Sequence, residues 1–359
     1  MKTSTSNPAP TSGRAHKIVA DLIHYAIPFV VSIIMVVWLF HKVDIHEVEK
    51  VVRQGVNFWW IGLMMILTTL SHIIRGIRWG IQLRAVGIPR ISPVAESVSI
   101  FGAYALNLIF QSLGEVWRVV FIAKREKAPL SRVIGTDIGD RASDGIMIVL
   151  ISIFTVFVAS GPIEAFLHHY SLGRKLMDIV HDPGIWCAVA LIVGAIGSAF
   201  YFFRHYKAIK KIEDDADQIW QGIRVLFTMK GRTAYVLLTF AIWICYFFQT
   251  YVCFYAFPFT QQLCTEPGLV HGLLPGLIVF VFGSFSMAVP SNGGLGPWNL
   301  AVMFALSLYG ISDTQGAAFS LVVWACQSTA LILAGIFAAI YVSTTKPTRA
   351  AGAPSSSEA

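Results

Sequence analysis

Six stretches of the chain, about 20–40, 57–74, 133–160, 184–203, 233–256 and 316–343, are predominantly apolar and bounded by polar or Pro/Gly-containing segments. A helix needs roughly 20 residues to cross a hydrocarbon core of about 30 Å, so the pattern predicts six transmembrane helices. Two further apolar regions, 94–123 and 270–311, are each interrupted midway by a glycine-containing turn. Their uneven halves predict broken or re-entrant helix hairpins. The expected fold class is an all-α polytopic membrane protein: six full transmembrane helices plus two re-entrant hairpins.

Between the fourth and fifth spans, Ile209, Ile212, Ala216, Ile219, Ile223 and Leu226 recur at steps of three and four, with Lys210, Lys211, Asp214, Asp215 and Asp217 between them. This predicts an amphipathic helix over 205–227 lying on the cytoplasmic surface. The polar ends, 1–17 and 344–359, read as disordered cytoplasmic tails, leaving 18–343 as one transmembrane domain. The first apolar run has no small-residue cleavage site behind it and is expected to stay as an anchor helix.

Composition supports the bilayer as main solvent, with 55% hydrophobic and 13% charged residues in 359. It leaves no room for a separate soluble catalytic domain. The formal net charge is +7, yet in such a chain Lys and Arg report orientation rather than a nucleic-acid partner. With the N-terminus inside, cytoplasmic segments hold 21 Lys and Arg and outer segments 5. The asymmetry predicts cytoplasmic N- and C-termini. Five scattered cysteines lack metal or disulfide spacing, and His168, His169 and His181 lack acidic or cysteine partners at ligand spacing. No metal or cofactor is expected.

The two interrupted regions resemble each other. Phe101-Gly102-Ala103-Tyr104-Ala105-Leu106 precedes Leu113-Gly114, and Phe282-Gly283-Ser284-Phe285-Ser286-Met287 precedes Leu295-Gly296. In the long span beyond each copy, Arg141-Ala142-Ser143-Asp144 stands opposite Trp324-Ala325-Cys326-Gln327. Three predicted crossings separate the copies, around 94–160 and 270–343. An odd number makes the repeat inverted, the architecture of alternating-access transporters with discontinuous helices.

Charge is concentrated in the first copy. The hairpin is expected to turn at Leu113-Gly114-Glu115-Val116-Trp117-Arg118, with Glu115 and Arg118 on one helix face. The next span opens with Asp137, Asp140, Arg141 and Asp144 at steps of three and four. Ionised groups at that depth cost roughly 2.5–3.5 kcal/mol each to insert, so they should face a protein or water-filled interior. Asp137 and Asp144 are expected to flank Arg141, and Asp140 to meet Arg118 across the hairpin. A phosphate displacing a carboxylate would find bidentate donors there. The second hairpin, Pro290-Ser291-Asn292-Gly293-Gly294-Leu295-Gly296-Pro297-Trp298-Asn299, carries no charge and offers backbone groups and a helix start instead.

Gly114-Glu115-x-x-Arg118, Asp140-Arg141-x-x-Asp144 and the Pro290 to Gly296 turn resemble the lysylphosphatidylglycerol synthase transmembrane, or flippase-like, family, which includes the membrane domain of the bacterial multiple peptide resistance factor. The likeness covers about 18–343. It implies a bacterial cytoplasmic-membrane protein that moves an anionic or aminoacylated phospholipid, or a polyprenyl-phosphate-linked lipid, between leaflets, or that assists a lipid-modifying enzyme. The chain departs from the family pattern at Phe110 and Ser112, where Pro and Arg often stand, and at Asn299, where an acid often stands.

The candidate substrate-binding set is Asn107, Gly114, Glu115, Arg118, Asp137, Asp140, Arg141, Asp144, Pro290, Asn292, Gly293, Gly294, Gly296 and Asn299. No aminoacyltransferase half follows the last span, so lipid handling rather than synthesis is expected, with no catalytic residue. Two alternatives compete. Asp137-x-x-Asp140-x-x-x-Asp144 resembles one aspartate-rich motif of Mg²⁺-dependent intramembrane prenyltransferases, though the second such motif has no counterpart beyond Glu213 to Asp217. The other is a scaffold without transport.

Overall fold

The computed structural model describes residues 33–35, 37, 45–53, 55–88, 91–158, 224 and 228–345. The regular secondary structure among these is helical: α1 Ile45–Arg53, α2 Phe58–Ala85, α3 Pro93–Ile109, α4 Leu113–Arg125, α5 Leu130–Val158, α6 Arg232–Cys253, α7 Pro258–Thr265, α8 Leu273–Ser286, α9 Pro297–Ser307 and α10 Asp313–Thr344. Four are long and apolar enough to cross a membrane: α2, α5, α6 with its 3₁₀ extension to Ala256, and α10. They correspond to the predicted spans 57–74, 133–160, 233–256 and 316–343. Of span 20–40 only residues 33–35 and 37 are described, and these are helical. Span 184–203, all of the predicted amphipathic segment 205–227 except Arg224, the histidines His168, His169 and His181 and the tails lie outside the described residues.

α2 runs eleven residues beyond the apolar stretch that predicts it. Its buried face carries Ile61, Met64, Thr68, Ser71, His72, Arg75, Arg78, Trp79, Gln82 and Leu83 at helical spacing, while Trp59, Ile66 and Leu70 are exposed on the other side. Polar positions facing the bundle interior are the rule for a helix in lipid. Hydropathy reads Arg75 and Arg78 as the start of a cytoplasmic segment, which is incorrect: both are buried within the helix. Arg118 is buried too. Taking these three from the 21 cytoplasmic charges leaves 18 against 5, so the asymmetry survives.

The first hairpin turns at Phe110-Gln111-Ser112, earlier than expected, and Leu113 to Arg118 form the opening of α4. Ser112 takes the left-handed conformation, with φ of 65°. The Gly114 amide donates to Asn107 Oδ1 at 2.9 Å. Gly114 looks like a turn former in sequence, but its role is contact: a Cβ there would lie 1.9 Å from the carbonyl oxygen of Ala103. The second hairpin, α8 and α9, turns through Met287 to Gly296, with a short 3₁₀ turn at Asn292–Gly294 and positive φ at Gly293, Gly294 and Gly296. That turn falls where the sequence predicts it.

The hairpin tips touch. A Cβ on Gly293 would sit 2.6 Å from Leu108 Cδ2. α3 is itself pressed between two long helices: a Cβ on Gly76 of α2 would be 2.8 Å from the backbone of Glu96 and Ser97, and one on Gly335 of α10 would be 2.3 Å from Ala105 Cβ. Small residues at such crossings let helix backbones approach closely where lipid gives no hydrophobic drive.

Two apolar cores form around the hairpins. One joins Ile61 and Met64 of α2 to Phe254, Phe257, Ile278, Leu306 and Phe319, around α8 and α9. The other joins Trp79 and Leu83, further along α2, to Ile91, Ala95, Val119, Ile122 and Val133, around α3 and α4. Met64 and Trp79 are about 22 Å apart along the helix axis at 1.5 Å per residue. The stretch of α2 between them carries the buried polar groups.

Candidate functional site

That middle layer contains four guanidinium groups and four carboxylates: Arg75, Arg78, Arg118 and Arg141 with Glu115, Asp137, Asp140 and Asp144. Asp140, fully buried on α5, is the hub. Its carboxylate lies 2.7 Å from Arg78, 3.3 Å from Arg118 and 3.6 Å from Arg75. Asp144, one turn on, bonds Arg78 at 2.9 Å and also Arg75. Asp137 lies 3.3 Å from Arg118. Glu115 of α4 accepts from Arg141 and lies 3.9 Å from Arg118. Aromatic faces cover part of the cations, Arg118 over Trp79 at 3.9 Å and Arg78 over Tyr235 at 5.3 Å. Four charges of each sign make the cluster formally neutral, as burial requires.

The expected pairing is therefore corrected in part. Asp140 meets Arg118 as predicted. Arg141, however, pairs with Glu115 rather than with Asp137 or Asp144, because on α5 it faces the first turn of α4. Asp144 pairs with Arg75 and Arg78, which hydropathy assigns to a loop. A signal for them was present: Ser71, His72, Arg75 and Arg78 continue the three-and-four spacing of the α2 face past the end of its apolar run.

A cavity of about 530 Å³ lies between the hairpin tips and α2, α5, α6 and α10. Arg75, Glu115, Arg141 and Asp144 reach it; Arg78, Arg118, Asp137 and Asp140 stand behind its wall. Arg141 is the open member, its side chain 40% exposed, against none for Arg118. Elsewhere the wall is mainly aromatic and apolar, with Trp243, Phe280, Met287, Trp298 and Val323, interspersed with uncharged polar residues such as His72, Gln249, Gln327 and Ser328. The cavity is thus amphipathic, charged at one end.

Of the other candidates, Asn107, Gly293 and Gly294 line the cavity, while Gly114, Pro290, Asn292, Gly296 and Asn299 do not. Asn107 is occupied in holding the first turn, accepting from Gly114 and donating to Glu115 at 3.3 Å. Asn299, fully buried, accepts from the Gly296 amide at 3.0 Å and caps α9. On α10, Trp324 Nε1 donates to the Gly293 carbonyl at 2.9 Å, tying that helix to the second turn.

Long apolar helices around a neutralised charge cluster and an amphipathic cavity define a multi-pass membrane protein with an internal polar site. Residues 25–335 match the family model for the lysylphosphatidylglycerol synthase TM region. The chain belongs to that family, whose members are membrane proteins concerned with lipid modification or flipping. Neither comparison, with curated proteins or with solved structures, returns a match.

Proposed function

We propose that this protein carries an anionic lipid between the leaflets of the bacterial cytoplasmic membrane, without covalent chemistry. The observation that carries this is the amphipathic cavity with Arg141 at its charged end, half-exposed and held by one carboxylate. A phosphate approaching Arg141 competes only with Glu115, and guanidinium–phosphate contacts are bidentate and strong. Arg75 stands beside it. The apolar wall suits the chains of the same molecule.

The architecture fits alternating access. In this reading α3–α4 and α8–α9 are re-entrant hairpins entering from opposite faces, six helices span, both termini are cytoplasmic, and the halves form an inverted repeat. Two contacts support it: Arg141 and Trp324 occupy matching repeat positions, and each bonds to the hairpin of its own copy, Arg141 to Glu115 in the first turn of α4 and Trp324 to the Gly293 carbonyl. The Mg²⁺-dependent prenyltransferase reading finds less support, because all three aspartates are engaged by arginines and only Asp144 reaches the cavity, while Asp137 and Asp140 stand behind its wall.

The test is transport of fluorescent phosphatidylglycerol in vesicles containing the purified protein. Arg141→Gln should slow it by about ten-fold or more, the factor that about 1.4 kcal/mol represents. Wild-type rates in that variant would overturn the assignment.

A further inference from the structure

We propose that the cavity selects lipids whose headgroup beyond the phosphate is uncharged and rich in hydroxyls, such as a glycerol or sugar phosphoester, and disfavours cationic aminoacylated lipids; this rests on the reading that Arg141 receives the phosphate. The cavity offers an amine no counter-charge. Its two carboxylates are engaged, Asp144 by Arg75 and Arg78, and Glu115 by Arg141 with Arg118 behind it. An ammonium entering here would meet the positive ends of those pairs and would have to displace a guanidinium, an arrangement that discriminates through an unpaired charge.

Neutral polar groups, by contrast, stand ready. His72 Nε2, Trp243 Nε1 and Gln111 Oε1 are buried, belong to cavity-lining residues and have no hydrogen-bond partner. His72 and Trp243 are only 3% and 6% exposed. Buried polar atoms are satisfied in the great majority of folded proteins, so three orphaned atoms in residues that line one cavity leave hydrogen-bonding capacity beside it, which a small shift of the wall would open to a ligand. Gln327 and Ser328 of α10 and Thr250 of α6 add uncharged donors and acceptors to the wall. Such a mixed set matches hydroxyls, which both donate and accept.

The two repeat copies differ at their matching positions. Gln327 occupies the position that matches Asp144, and Trp324 the one that matches Arg141. The first copy supplies Arg141 for the phosphate, and the second supplies Gln327 and Ser328 to a neutral wall that α2 and α6 complete around the polyol.

Quenching of the cavity tryptophans, Trp243, Trp298 and Trp324, gives a direct binding readout for short-chain lipids in detergent. Dioctanoyl phosphatidylglycerol should bind at least about ten-fold more tightly than its lysyl ester and than dioctanoyl phosphatidic acid, which lacks the polyol. Gln327→Glu places an unpaired carboxylate in the wall and should bring the lysyl ester to or above parity. Gln327→Ala should erase the advantage over phosphatidic acid while leaving phosphatidic acid binding unchanged. Equal binding of all three lipids, reduced together by Arg141→Gln, would overturn the headgroup selectivity and leave the phosphate site standing. Binding that is indifferent to Arg141→Gln would remove the phosphate site and this inference with it.

Discussion

Arg118 and Arg141 differ in surroundings far more than in sequence context. Arg118 is fully buried behind the cavity wall, stacked on Trp79 and within 3.3 Å of both Asp137 and Asp140. Arg118→Gln leaves two carboxylates short of a partner in a medium where that is costly, and should destabilise the protein by about 3–5 kcal/mol. Arg141 has one bonded partner, so the double variant Arg141→Gln with Glu115→Gln removes the pair together. It should fold to within about 1 kcal/mol of the parent and still lose transport. Thermal unfolding in detergent and transport in vesicles separate the two effects. Normal folding of Arg118→Gln would contradict its place in the buried cluster.

Among the elements, the hairpins depend on close backbone approach more than on turn chemistry. Gly114→Ala forces a methyl against the Ala103 carbonyl and should cost about 1–3 kcal/mol, as overpacking does. Gly145→Ala in α5 meets open space and should be neutral or mildly stabilising, since alanine is the better helix former by about 1 kcal/mol. Equal effects of the two would contradict the tight hairpin. The proposed opposed entry of the hairpins is best probed at their bases, because Ser112 and Ser291 at the tips open on the same cavity. Cysteines at exposed Lys124 and Glu266 should react with an impermeant reagent from opposite faces of the membrane. Labelling from one face alone would contradict the inverted arrangement.

Much of this level is legible in sequence, since an apolar run interrupted midway can hardly be anything but a broken helix. The second turn, with three glycines, falls where predicted. The first is displaced because glycine serves two purposes, positive φ and contact, and sequence does not say which. The acids of α5 are legible as buried because they lie inside an apolar span. Arg75 and Arg78 are not, because they come after the span, where positive charge ordinarily marks its end; only their α5 partners turn them inward. The orphaned groups of His72 and Trp243 are likewise invisible until α2, α5, α6 and α8 come together.

For the whole molecule, the two cores hold the hairpins from opposite ends of α2, and the layer between them is polar and partly empty. Apolar packing is concentrated at the ends, and the proposed binding cavity lies in the middle. The packing of α3 sets what can move. Its backbone is pressed onto α2 at Gly76 and it meets α10 at Gly335 through Ala105, whereas its tip meets the second hairpin at Leu108 against Gly293. In mechanical terms the proposed transport would make α3 a stator and α8–α9 the rotor, with the tip contact as the bearing surface. Spin labels on the exposed positions Leu70 and Val94 should therefore keep their separation when phosphatidylglycerol binds, while labels on Val94 and Phe285 should change theirs. The opposite pattern would assign the working stroke to the charged half of the molecule.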